Sequence, residues 1–359
     1  MAVEQGAVLE ALRVVKDPDL NRDIVSLGFI KNLSVDAGRV AFTIELTTPA
    51  CPVKDQMRDQ AKAAVLRVPG VSAVDVQLSA RVREAVAPEA GRAALPGVKN
   101  VLAVGAGKGG VGKTTVAVNL AIALAKCGSR VGIIDGDIYG PNVPIMLGLK
   151  TQLGTDGQKI VPAEKYGLQV ISMGFLTGDD APIIWRGPML HGALQQFFRE
   201  VRWTDLDYLV VDLPPGTGDV ALSLSQTVPV AGAIVVTTPQ QVSLADSRRA
   251  VAMYRKLNIP TLGIIENMSY FACPQCGHEA DIFGHGGGET MAADFGVPFL
   301  GRIPISQPIR EGSDSGVPLL ISDPDSPAGR AFTAAAERTA AQVSIASYNR
   351  PTIPLTIVK

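Results

Sequence analysis

The stretch Gly107-Lys108-Gly109-Gly110-Val111-Gly112-Lys113-Thr114-Thr115 constrains this chain more than any other. It fits G-x-x-x-x-G-K-[ST], a phosphate-binding loop. Glycines there let backbone N–H groups turn inward and approach a polyphosphate closely. A helix starting near Gly112 points its positive end at the same phosphates. Lys113 is expected to reach the β- and γ-phosphates of ATP, and Thr114 to ligate Mg²⁺. The apolar run at 101–104 reads as a buried parallel strand, and 115–126 carries apolar residues at helical spacing. A glycine turn that binds nothing is the plain alternative, but strand, loop and helix agree on the phosphate site.

Behind the loop, strands and helices alternate from Lys99 onward. That pattern predicts an α/β domain, a doubly wound and mostly parallel sheet covered on both faces. Strands are expected at 130–135, 166–173, 208–211, 231–237 and 262–266, and helices at 187–198 and 327–348. Ligands of such sheets sit at the carboxyl ends of the strands, which picks out two acidic loops. One is Asp135-Gly136-Asp137-Ile138-Tyr139-Gly140-Pro141-Asn142. The other is Asp212-Leu213-Pro214-Pro215-Gly216-Thr217-Gly218-Asp219. Asp212 is expected in the Mg²⁺ shell and the Gly216 N–H facing the γ-phosphate. An acid at 137 can orient the attacking water or accept its proton, whereas Asp135 and Asp137 could also simply cap a loop.

Ahead of this domain, residues 1–85 read as a small α+β domain. Helices are expected at 8–15 and 55–67, and strands at 24–35, 39–46 and 74–78. Residues 86–97 read as an Ala/Pro/Gly-rich linker, 98–349 as the nucleotide-binding domain, and 350–359 as a tail. Cys51, in Thr48-Pro49-Ala50-Cys51-Pro52, would stand where a helix begins. Either the helix terminus favours its thiolate, or it is a buried core cysteine.

Of the four cysteines in 359 residues, Cys127 reads as core, and no disulfide framework is implied. Net charge is −1 with both signs spread along the chain, which leaves no footprint for nucleic acid. No apolar run approaches the ~18 residues that span a membrane. A reducing, cytoplasmic compartment is expected. Cys273-Pro274-Gln275-Cys276 places two thiolates at metal-ligand spacing. Structural zinc and [4Fe–4S] clusters take about four ligands. Either His278 and His285 complete a zinc site, or two chains each donate a C-x-x-C pair across a twofold axis.

Lys108 turns the phosphate loop into G-K-G-G-V-G-K-T-T, which resembles the deviant loop of the MinD, ParA and nitrogenase-iron-protein superfamily. The resemblance implies a homodimer in which Lys108 reaches the partner's nucleotide. It also implies that Asp137 is the water-positioning acid of the first switch loop, and that Asn267 pairs with the adenine edge rather than capping a turn. Together with D-G-D-I-Y-G-P-N, W-R-G-P around Arg186, D-L-P-P-G-T-G-D and C-P-Q-C, the chain resembles the Mrp/ApbC family of iron–sulfur cluster carrier ATPases. Asp17-Pro18, Ile24 to Gly28 and the Cys51 segment resemble the small domain of iron–sulfur assembly factors. What this implies is a [4Fe–4S] cluster bridged by Cys273 and Cys276 of two chains, handled with cluster scaffold proteins and passed to apoproteins. The rivals are a MinD/ParA-like positioning ATPase and a zinc-stabilised ATPase scaffold. The first calls for a membrane-binding amphipathic helix or a basic DNA-binding patch. Pro351 and Pro354 interrupt the tail, and no such patch is visible.

Overall fold

The structure, a computed structural model, describes residues 3–86, 95–137, 140–150, 153–175, 187–216 and 218–349, without the side chains of 187–191 and 219. Ile138, Tyr139, Trp185, Arg186, Thr217, residues 87–94 of the expected linker and the tail 350–359 lie outside the described residues. The chain divides into two compact units, Met1–Arg83 and Glu84–Lys359.

The first unit has helix α1 (Gln5–Leu12), strands β1 (Ile30–Asp36) and β2 (Arg39–Leu46), helix α2 (Lys54–Leu66) and strand β3 (Ala73–Ala80). β1 pairs antiparallel with β2, and β2 parallel with β3. β2 alternates buried Val40, Phe42, Ile44 and Leu46 with less buried partners, the period of a sheet with one covered face. Val8, Leu12, Met57, Ala61, Ala64 and Val65 are the buried residues of the two helices that complete this core. Two boundaries differ from expectation. The strand expected from residue 24 begins only at Ile30. Asp23 Oδ1 accepts the N–H groups of Val25 and Ser26 at 3.1 and 2.8 Å, and Gly28 sits at φ +70°, so this stretch is a turn. The helix expected at 8–15 lies one turn earlier.

The second unit contains β4 (Val98–Ala106), α3 (Lys113–Lys126), β5 (Val131–Asp135), α4 (Val143–Leu147), β6 (Ala163–Lys165), β7 (Leu168–Ser172), α5 (Gly187–Arg199), β8 (Leu206–Asp212), α6 (Asp219–Thr227), β9 (Val230–Thr237), α7 (Gln241–Lys256) and β10 (Thr261–Glu266). After these come β11 (Phe271–Ala272), β12 (Glu279–Ala280), α8 (Gly287–Phe295), β13 (Phe299–Arg302), α9 (Gln307–Ser315), α10 (Leu319–Ser322) and α11 (Pro327–Tyr348). The eight-stranded sheet runs β6-β7-β5-β8-β4-β9-β10-β13. Every pairing is parallel except β6–β7.

β8 and β9 are buried at every position, as continuous apolar runs must be when helices cover both faces. One face packs Leu194, Phe197 and Phe198 of α5, Leu224 of α6 and Tyr254 of α7 against Val101, Leu209, Val211 and Val235. α3 lies against α11, and its residues Val116 to Leu124 are all buried. The strand expected at 166–173 is shorter. Tyr166 and Gly167 both have positive φ, and they form a hairpin that adds β6 as an antiparallel edge. Among the described residues, no helix is long and apolar enough to cross a membrane.

Candidate nucleotide site and thiol hairpin

The carboxyl ends of β4, β5 and β8 lie side by side, with Asp212 paired to Asp135 in register. β4 leads into the phosphate loop, where Gly110 and Gly112 take φ of +81° and +78°. A Cβ on Gly107 would stand 2.2 Å from the Asp246 backbone, so the loop packs directly on α7. Lys113, Thr114 and Asp212 form one cluster, with Lys113 and Asp212 buried and Thr114 half-buried. Lys113 Nζ lies 2.6 Å from Asp212 Oδ1 and 3.2 Å from Thr114 Oγ1, and the Thr114 hydroxyl donates to Asp212 Oδ2 at 2.7 Å. Burial pushes the Asp212 carboxyl up, and Lys113 pulls it back. A carboxylate beside a hydroxyl is a hard oxygen pair of the kind Mg²⁺ accepts. Thr115 follows in the first helical turn, where its carbonyl accepts from Asn119 Nδ2 at 2.9 Å.

Asp135 is a clamp. Its carboxylate accepts from Asp137 N at 3.2 Å, Val143 N at 3.1 Å and Ser172 Oγ at 3.1 Å, holding both ends of the loop that follows β5. Burial first, and the Asp212 charge next, push it up to about 8. Asp137 is half-buried, and its charge in turn raises Asp212. Lys108 is half-buried and Gly109 exposed on the same loop.

The structure bears on three further sequence readings. The Gly216 N–H does not face outward; it donates to the Ala106 carbonyl at 2.9 Å, because the Pro214-Pro215 turn folds back on β4. Cys51 is 7% exposed, and burial pushes its thiol up to about 11, outweighing the Val53 N–H that favours thiolate. The nearby helix start does not compensate, so Cys51 is a neutral core thiol. Cys127 is half-buried at the α3 C-cap rather than fully in the core.

Asn267 is 5% exposed and donates from Nδ2 to the Val111 carbonyl at 2.8 Å. It braces the phosphate loop. Its neighbour Glu266, which the sequence reading passed over, is fully buried and bonded to Ser269 and Gly288. The signal was present: Leu262 to Ile265 is an apolar run closing on an acid, the same pattern that marks Asp212.

From there the chain enters the β11–β12 hairpin, which carries Cys273 and Cys276. The turn is closed by Cys273 N to His278 O at 2.9 Å and Gly277 N to Cys273 O at 2.8 Å, with Gly277 at φ +73°. Cys273 is half-buried and Cys276 exposed. The backbone N–H groups of Cys276 and Gln275, with the Cys276 thiol, hold the Cys273 thiol below its ordinary range. His285 pairs instead with Asp281 at 3.2 Å. Among the described residues, no three His, Cys, Asp or Glu side chains gather to hold a metal, so Cys273, Cys276, His278 and His285 do not form a zinc site within one chain.

The model for the NUBPL iron-transfer P-loop NTPase family matches residues 97–340, and that for iron–sulfur cluster assembly proteins matches residues 5–78. An iron–sulfur cluster carrier protein of Synechocystis is 47% identical over 348 residues, 95% of this chain and 98% of its own. One of Deinococcus radiodurans is 48% identical over 341 residues, 94% and 95% of the two chains. A nucleotide-binding protein of Archaeoglobus fulgidus in complex with ADP is 37% identical, with a TM-score of 0.56 over 62% of this chain and 88% of its own. With more than half of its length under one family model and near-complete coverage of such relatives, this chain belongs to the NUBPL iron-transfer P-loop NTPase family.

Proposed function

We propose that the protein is a homodimeric, cytoplasmic ATPase that carries a [4Fe–4S] cluster between its subunits, receives it from scaffold proteins and passes it to apoproteins. The observation that carries this reading is the hairpin: one exposed turn presents two thiols, Cys273 and Cys276, and no further metal-binding side chain of the described residues joins them. A cluster needing about four thiolates is then completed by a second chain. Relatives named as cluster carriers over nearly the whole chain support the cargo, and the ADP-bound relative supports an adenine nucleotide.

In this reading ATP displaces Lys113 from Asp212. Lys113 turns to the β- and γ-phosphates, and the backbone N–H groups of Gly107 to Thr115 cradle them. Thr114 and Asp212 would hold Mg²⁺, which neutralises charge on the phosphates. Asp137 orients the attacking water. Gly216 leaves the Ala106 carbonyl to meet the γ-phosphate, so the switch loop reports whether that phosphate is present. Lys108 reaches the partner's nucleotide, and Asn267 pairs through its amide with adenine.

Anaerobic reconstitution with iron and sulfide, followed by iron analysis and sedimentation, tests the proposal. About two irons per chain in a dimer are expected. Cys273→Ala and Cys276→Ala should each abolish stable cluster binding while leaving nucleotide binding intact. A monomer that holds zinc tightly through these thiols would overturn it.

A further inference from the structure

The nucleotide site and the thiol hairpin share one corner, at the end of β10. Glu266 is fully buried there; its Oε1 accepts from Ser269 Oγ at 2.6 Å and its Oε2 from Gly288 N at 2.5 Å. Ser269 precedes the hairpin and Gly288 follows it. One carboxylate therefore ties both feet of the segment that holds Cys273 and Cys276. An apolar residue could end this strand without desolvating a carboxylate, which is costly unless it is well bonded.

The next residue reaches the other way. Asn267 donates its own N–H to Thr237 O and its side-chain amide to Val111 O, both at 2.8 Å. The Val111–Gly112 peptide is trans and planar, so its C=O and N–H point in opposite directions. Holding the carbonyl sets the direction of the Gly112 N–H, one of the donors of the phosphate loop. The approach is tight: a Cβ on Gly112 would lie 2.3 Å from Asn267 Nδ2. Phosphate binding that turns this peptide must carry Asn267 with it or break the bond. The motion then has a short backbone route. Ser269 N bonds Ile303 O at 2.9 Å, Ile305 N bonds Tyr270 O at 2.7 Å, and Phe271 pairs with Ala280 across the hairpin.

We infer that the corner formed by Glu266, Asn267 and Ser269 passes the state of the phosphate loop to the thiol hairpin, which makes Glu266 a positioning residue for the cargo. The inference rests on the carrier function proposed above. It is tested with the full-length protein reconstituted with its cluster. Cluster loss to a chelator is followed by visible absorbance with ATP, with ADP and without nucleotide, alongside phosphate release and iron content. Glu266→Gln sets an amide N–H against one of the two donors; Ser269→Ala removes the other foot and stays decisive if Glu266→Gln misfolds. Wild-type protein should lose cluster at different rates in the ATP and ADP states. In both variants that ratio should fall to unity, with turnover and iron per chain unchanged. A ratio preserved in both variants overturns the inference and leaves the carrier function standing, as does a bound wild-type cluster indifferent to nucleotide. A wild-type protein that binds no cluster overturns the carrier function, and the inference with it.

Discussion

Cys51 and Cys273 are both cysteines beside a tight turn, and their surroundings drive them apart. Cys51 is enclosed by the first unit's core, and burial dominates, pushing the thiol from 9.0 to about 11. Cys273 sits on an open turn whose N–H groups favour the thiolate. Iodoacetamide at mildly alkaline pH should therefore label Cys273 and Cys276 well before Cys51, as read by peptide mass; equal labelling would refute the buried-thiol assignment. The sign for stability follows. A folded pKa above the unfolded one favours the folded state below the ordinary thiol range, and that contribution is lost as pH rises from about 9 toward 11. Melting temperatures of wild type should fall more steeply across that window than those of Cys51→Ala, which has no thiol to titrate. Sequence left Cys51 open between two readings, because the balance between a helix terminus and burial depends on how deeply the turn is packed. That depth is a tertiary property.

Strand ends carried most of what was legible at the level of elements. Apolar runs closing on Asp135 and Asp212, and a strand passing into the phosphate loop, were visible as sequence and stand side by side in the sheet. Glu266 bears the same mark and was passed over, since no phosphate-site motif surrounds it. The antiparallel β6 and the inward turn of the Gly216 N–H were not legible, because both depend on which loop folds back on which strand. Gly107 shows how closely the elements meet. Its missing side chain lets the phosphate loop rest on the backbone of α7 at Asp246 and Ser247, atoms that have no rotamer to escape through. Gly107→Ala must push the loop and α7 apart, an overpacking that costs ~1–3 kcal/mol. A lower melting temperature together with weakened nucleotide binding is expected, from thermal melts and titration with a fluorescent ATP analogue. A variant that keeps both at wild-type levels would show that the contact is slack.

At the scale of the whole molecule, two incomplete sites ask for the same solution. The hairpin offers two thiols where a cluster takes about four ligands. The phosphate loop carries a second lysine, Lys108, while Lys113 alone occupies the buried cluster with Asp212. In the proposed dimer a twofold axis completes both, bringing two phosphate loops and two hairpins together. In that reading hydrolysis is a property of the pair. Phosphate release per chain should rise with protein concentration as dimers form, and level off once association is complete. Lys108→Ala removes the proposed cross-subunit contact but leaves the Lys113–Thr114–Asp212 cluster untouched. Nucleotide should still bind to single chains with near wild-type affinity, while turnover stays low and loses its dependence on concentration. Sedimentation with ATP separates the two ways this can arise, a dimer that no longer forms or one that forms without catalysing. If Lys108→Ala turns over ATP as wild type does at every concentration, Lys108 is a solvated loop residue and the dimer must be argued from the thiols alone.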